Sequence, residues 1–223
     1  MINELIFIIH SCLLSIFLII ALRIGKEALI ALISLYCVLA NLFVTKQITL
    51  FGFDATASDA FSVAAILGLN LLQEYFGAAI TKAAIWISFL CLMAYTLASQ
   101  LHLWYLPTNA DQMHSHFCAL LEVMPRITIA SLGVFVFVQY LDRFLYGLLQ
   151  KKLGHNLFLI RNYASLIVCQ LIDTILFSFL GLYGIVENIG SIIIISYGIK
   201  LVAIALTTPW LALIGKINYK RSS

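Results

Sequence analysis

Long apolar runs broken by short polar ones dominate the pattern along this chain. A helix needs about 20 mostly apolar residues to cross the hydrocarbon of a bilayer. Seven runs of that order stand out: Leu5–Leu22, Ala28–Thr45, Ala57–Tyr75, Ala83–Leu103, Ile127–Leu149, Tyr163–Ile185 and Ser191–Ile214. The third is the weakest, because Asp59, Asn70 and Glu74 interrupt it. The polar breaks read as loops: Arg23 to Glu27, Lys46 to Thr56, Phe76 to Lys82, His102 to Arg126, Gln150 to Asn162 and Val186 to Gly190. No alternation of the outer-membrane barrel kind is present, so the pattern predicts helices throughout.

Composition narrows the class to match. Hydrophobic residues make up 63% and charged residues 10% of the 223, where soluble chains average about 45–50% and about 25%. A mean hydropathy of +1.05 leaves too little polar surface for a water-soluble globule. The reading is an all-α polytopic membrane protein, which excludes a soluble enzyme and a disordered chain. A net charge of +3 supports no large basic surface, so nucleic acid is not an expected partner.

Orientation follows from lysine and arginine. In a seven-span chain, one side collects ten of the thirteen: Arg23, Lys26, Lys82, Arg143, Lys151, Lys152, Arg161, Lys216, Lys220 and Arg221. The other side holds Lys46 and Arg126, and Lys200 falls within the last span. An outer N-terminus, a cytoplasmic C-terminus and residence in the cell inner membrane are expected. The leader Met1–Glu4 lacks a basic region and positive charge follows the first run, so that run reads as a reverse-oriented anchor, not a cleaved signal.

Charges inside spans carry the candidate chemistry, since each costs about 2.5–3.5 kcal/mol on insertion scales. Asp173 and Lys200 lie near the middles of the sixth and seventh spans and are expected at similar depth. They read either as a structural ion pair or as a substrate or proton site. Two Q-x-x-D sequences, Gln139 with Asp142 and Gln170 with Asp173, each aim an amide and a carboxylate from one helix face. That pairing suits a flat ligand with both donors and acceptors. Near the end of the third span, Asn70, Gln73, Glu74 and Gly77 share a polar face. Glu74 reads as an interfacial carboxylate or a ligand contact, and Gly77 as a helix stop. Asn41 in the second span is a lesser candidate, because a buried Asn often just bonds a neighbouring helix.

The remaining polar groups point to less. His114-x-His116 with His102, Cys118 and Glu122 has no recognised metal spacing, so solvated loop histidines are expected. The five cysteines form no C-x-x-C pair and read as small hydrophobes, without metal or disulfide. Trp104, Tyr105, Trp210 and Tyr219 look like interface anchors. Trp86, Tyr75 and Phe76 sit nearer the polar face and can stack on a ring or simply pack. No cofactor is expected.

Five segments carry a family resemblance: Asn41–Thr56 (NLFVTKQITLFGFDAT), Leu69–Ile85 (LNLLQEYFGAAITKAAI), Arg126–Tyr146 (RITIASLGVFVFVQYLDRFLY), Asn162–Phe177 (NYASLIVCQLIDTILF) and Tyr197–Trp210 (YGIKLVAIALTTPW). In this order they resemble the queuosine precursor transporters, also classed as the vitamin uptake transporter family. The resemblance covers about residues 28–216. It implies six spans with both ends cytoplasmic, matching spans two to seven. On that basis, 1–27 is an extra N-terminal helix with a short cytoplasmic loop, 28–216 a six-helix transporter core, and 217–223 a cytoplasmic tail. One departure is Asn70, where the family usually has Asp; it removes an anion and is expected to alter preference for a cationic substituent.

The resemblance implies import of a 7-deazaguanine for queuosine modification of tRNA: the 7-cyano compound, its aminomethyl relative, or queuine. Such a ring presents adjacent N–H donors that one carboxylate accepts together, and an O6 acceptor suited to a lysine or an amide. Asp173 or Glu74 is assigned to the donor edge, with Gln139, Gln170 and Lys200 completing the polar ring. Asn41, Asn70, Arg126 and Asp142 are further substrate-binding candidates. The alternative is the substrate-binding component of an ATP-powered vitamin importer. The sequence holds no G-x-x-x-x-G-K-[ST] loop, so ATP hydrolysis would need an energising subunit. An integral membrane enzyme is a weaker alternative, since no H-E-x-x-H or G-x-S-x-G occurs. Expected partners are a small purine-like substrate, the lipid bilayer, and either a second copy or that subunit.

Overall fold

A computed structural model describes the backbone of residues 2–153 and 158–214, and side chains for 2–142, Phe144, Leu145, Leu148, Leu149 and 164–202. The order is α1 (Ile2–Ile24), α2 (Lys26–Phe43), β1 (Gln47–Leu50), β2 (Phe53–Thr56), α3 (Asp59–Phe76), α4 (Ala78–Leu103), α5 (His114–Leu121), α6 (Met124–Leu153), α7 (Phe158–Phe177) with a π turn at Ser178–Leu182, and α8 (Ile189–Ile214). Each of the seven apolar runs is a helix. Among the described residues, five stretches are long and apolar enough to cross a membrane: α1, α2, α4, His114–Asp142 through α5 and α6, and Ala164–Leu182 through α7 and the π turn. The part of α8 with described side chains, Ile189–Val202, is shorter and apolar. α3 stays below that apolarity, as its Asp59, Asn70 and Glu74 lead one to expect.

Single glycines reverse the chain twice. Gly25 separates α1 from α2 at φ 148°, and Gly77 separates α3 from α4 at φ 86°. Side chains strain in that region, so glycine lets one residue break the helix. The Gly77 N–H closes α3 on the Gln73 carbonyl at 3.1 Å, the expected stop.

Two expected loops contain structure. Lys46 to Thr56 folds into an antiparallel hairpin with Gln47 opposite Thr56 and Leu50 opposite Phe53. Its two-residue turn puts Phe51 at φ 53° and Gly52 at φ 82°, the doubly positive geometry that matches strand twist. Buried Leu50, Ala55 and Thr56 anchor it. Glu4 accepts from the Phe51 N–H at 2.9 Å, and Asn3 donates to the Thr49 carbonyl at 3.0 Å. The second, His102 to Arg126, contains α5. These are local corrections to an otherwise helical bundle.

Packing follows the apolar faces. Leu14, Leu18, Leu22, Leu29, Ile33, Leu71 and Leu72 join α1, α2 and α3 in one core, which Ala84 of α4 completes. α1 is thus packed into the bundle, and Tyr36 of α2 donates to its Leu14 carbonyl at 3.0 Å. Gly68 gives α3 a close approach: a Cβ there would meet Ile33 Cγ1 at 2.6 Å. Val44, Leu121, Met124, Ile127, Leu182 and Ile192 form a second cluster towards the hairpin end. Outward, α1 exposes Leu5, Ile6, Ile9, Leu13, Ile16, Phe17 and Ile20, an apolar surface that suits lipid. Trp104 and Tyr105 are exposed beside the end of α4. The side chains of Arg143, Lys151, Lys152, Arg161, Trp210, Lys216, Tyr219, Lys220 and Arg221, and the tail 217–223, lie outside the described residues.

Candidate functional site

Hydroxyls, one amide and one ion pair converge in the middle of the bundle. A cavity of about 220 Å³ lies among α2, α3, α4, α6, α7 and α8. Its polar lining is Asn41 from α2, Ser62 from α3, Ser88 from α4, Ser131 from α6, Asp173 from α7 and Lys200 from α8, with Ser58 just ahead of α3. Phe89, Phe135 and Phe177 supply aromatic walls. Polar groups from six helices thus meet at one place in the bundle.

The ion pair is short. Lys200 Nζ donates to Asp173 Oδ2 at 2.7 Å and to Thr174 Oγ1 at 3.1 Å. The Lys200 side chain is 14% exposed and that of Asp173 28%, so the carboxylate keeps an accessible edge. Asn41 is braced: its amide donates to the Cys37 carbonyl at 2.9 Å and its oxygen accepts from Ser131 Oγ at 2.6 Å. It therefore bonds a neighbouring helix, as expected, and also lines the cavity.

The candidate residues divide among several locations. Asn41, Asp173 and Lys200 come together. Gln139 and Asp142 share a second cavity of about 610 Å³ with Gln73, Thr81, Lys82 and Trp86, towards the Gly77 end. Asp142 also accepts from Ser165 Oγ, and Cys169 Sγ lies 3.7 Å from its Oδ1, tying α6 to α7. Phe89 and Phe135 line both cavities and meet edge to face at 4.8 Å, forming the partition between them. Gln170 is absent from both linings, and its carbonyl accepts from Thr174. Asn70 is half-buried and Glu74 exposed, and neither lines either cavity. Arg126 donates Nε to the Leu180 carbonyl at 2.9 Å, holding the π turn at the hairpin end. The first Q-x-x-D pair therefore shares one cavity, whereas the second is split and only its Asp173 lines a cavity. The histidines expected in a loop lie on helices, His102 on α4 and His114 and His116 on α5, apart from these cavities, with His114 Nε2 3.5 Å from Cys118 Sγ.

Asp59 was missed as a candidate. It is 4% exposed and accepts from Ser196 Oγ of α8 at 2.9 Å. It lines a small cavity of about 50 Å³ that also includes Lys200. Its signal was a carboxylate within an apolar run, weakened by its position at the run's edge.

Known proteins share this sequence pattern. The family model described as "Putative vitamin uptake transporter" matches residues 56–214. A "Probable queuosine precursor transporter" of Bacillus subtilis (strain 168) is 32% identical over 163 residues, covering 71% of each chain. No solved structure matches.

Proposed function

Because this chain belongs to the vitamin uptake transporter family, we propose that it imports a queuosine precursor, a 7-deazaguanine, through the central cavity. The observation that carries this reading is the Asp173–Lys200 pair opening on a cavity walled by phenylalanines. The Asp173 carboxylate accepts the ring's adjacent N–H donors, Lys200 or the Asn41 amide meets O6, and the phenylalanines stack on the faces. Drug-sized ligands occupy pockets of about 300–1,000 Å³. At about 220 Å³, this cavity suits one small bicyclic base. Glu74 stands outside this arrangement, which leaves Asp173 as the donor-edge acceptor.

The chain is read as a carrier, not an enzyme. Its N-terminus faces outward and its C-terminus the cytoplasm, by the excess of basic residues on one side. The Gly77 end, with Lys82 and the larger cavity, then faces inward. Substrate moves from the central cavity past the Phe89–Phe135 partition into that inner vestibule, as alternating access requires.

The test is complementation. Cells unable to make the precursor receive this protein and each of the three deazaguanines, and queuosine is measured in their tRNA. Restored modification is expected with at least one compound. Failure with all three, in cells shown to carry the protein in the membrane, refutes the reading.

A further inference from the structure

Among the described residues, the central polar groups comprise two carboxylates and one ammonium. Asp59 and Asp173 are the two carboxylates, and Lys200, the ammonium that joins both cavities, is committed to Asp173 at 2.7 Å. Asp59 receives the Ser196 hydroxyl, and its small cavity adds the hydroxyl groups of Ser58, Thr174 and Ser178. The other elements around it bring no second cation among the described lining residues. In the small cavity β2 contributes Thr56, while in the central cavity beside it α2 contributes the Cys37 thiol and α4 and α6 contribute Ser88 and Ser131. From α1, the His10 ring packs edge to face on Phe61 at 4.8 Å. An ionised carboxylate buried this deeply without a cation is costly, and a bound proton removes the cost. Hydroxyls suit either state, because they donate to a carboxylate and accept from a carboxyl.

We propose that Asp59 is a proton-binding site and that its proton is the coupling ion for transport. With the site open outward, Lys200 pairs with Asp173 and the Asp59 carboxyl holds a proton taken from outer water. Substrate donors then occupy the Asp173 carboxylate and release Lys200, which shares the small cavity with Asp59. The ammonium turns to Asp59, whose proton leaves as H⁺ to inner water once the site opens inward. Release of substrate returns Lys200 to Asp173, and Asp59 is reprotonated from outside. Each cycle moves one substrate and one proton inward. The coupling role rests on the import reading, whereas the proton site does not.

The experiment uses the purified full chain in liposomes and has two arms. In the first, infrared spectroscopy follows the carbonyl stretch of a protonated carboxyl near neutral pH. The band is expected in the wild type, absent in Asp59→Asn and retained in Asp173→Asn. Ser196→Ala removes a donor to the ionised form, so the band should persist to higher pH than in the wild type. No wild-type band, a band surviving Asp59→Asn, or an unmoved titration in Ser196→Ala overturns the proton site. In the second arm, an inward proton gradient drives uptake of labelled deazaguanine while a trapped dye reports internal pH. The wild type should concentrate substrate with acidification, and Asp59→Asn should only equilibrate it. Wild-type accumulation without acidification, or undiminished accumulation by Asp59→Asn, overturns coupling. If the wild type moves none of the three precursors while the band still depends on Asp59, the import reading and the coupling role fall and the proton site stands.

Discussion

Replacing Lys200 by methionine asks what the central ion pair is for. The change keeps an apolar stem of similar length and deletes the cation that donates to Asp173 at 2.7 Å. Removing one partner from a fully buried pair costs about 3–5 kcal/mol, because the remaining charge is stranded. Here the Asp173 side chain is 28% exposed, so water screens part of that loss. A destabilisation of about 2 kcal/mol is the reasonable expectation, lowering the melting temperature in detergent by roughly 4–8 °C. Asp173→Asn strands the ammonium instead and removes the acceptor proposed for the substrate's donors. A hydrogen bond to a charged group contributes about 1.5–3 kcal/mol, so kcat/KM for uptake should fall roughly ten- to a hundredfold.

The double variant Asp173→Asn with Lys200→Met separates the roles. It leaves no stranded charge, and stability should return to within about 1 kcal/mol of the wild type. Uptake should remain as low as in Asp173→Asn alone. The assays are thermal unfolding and initial uptake rates across a range of substrate concentrations, both on purified protein. Recovery of uptake along with stability would show that the pair only braces α7 against α8, and the substrate model would be refuted.

Further outcomes follow from the same geometry. Gly68→Ala places a Cβ against fully buried Ile33 and Leu18, so a loss of about 1–3 kcal/mol is expected in thermal unfolding; an unchanged melting temperature contradicts the close approach. Phe135→Ala should breach the partition, so Cys37 in a single-cysteine background reacts faster with an impermeant maleimide applied from the Lys82 side; an unaltered rate removes the partition. Glu74→Gln and Asn70→Asp should leave uptake within about twofold and precursor preference unchanged, because neither residue lines the central cavity or the larger one beside it. A changed preference in competition assays would restore them to the site.

What the sequence reveals of this site depends on what each residue costs. Asp173 and Lys200 are conspicuous because a charge at mid-span is expensive, and similar depth was enough to pair them. Asp59 pays the same cost, yet it sits where an apolar run meets a polar stretch, and its partner Ser196 lies 137 residues away. The Q-x-x-D repeats predict a shared helix face, which holds for Gln139 and Asp142. They say nothing about which neighbour that face meets, and α7 claims Asp142 through Ser165. The hairpin at 47–56 was hidden in a polar break too short to read as anything but loop.

The hydroxyls are the least legible part, for a physical reason. Ser34, Ser88 and Thr96 each donate to the carbonyl four residues earlier in their own helix, so a span carries them at little cost wherever they point. Only assembly gives them a second role. Ser34 meets Ser88 at 3.0 Å and Thr96 meets Thr128 at 2.6 Å, while Ser88 also lines the central cavity. Charges announce a site because the bilayer penalises them. Serines line it unannounced, since a helix satisfies them before any substrate arrives.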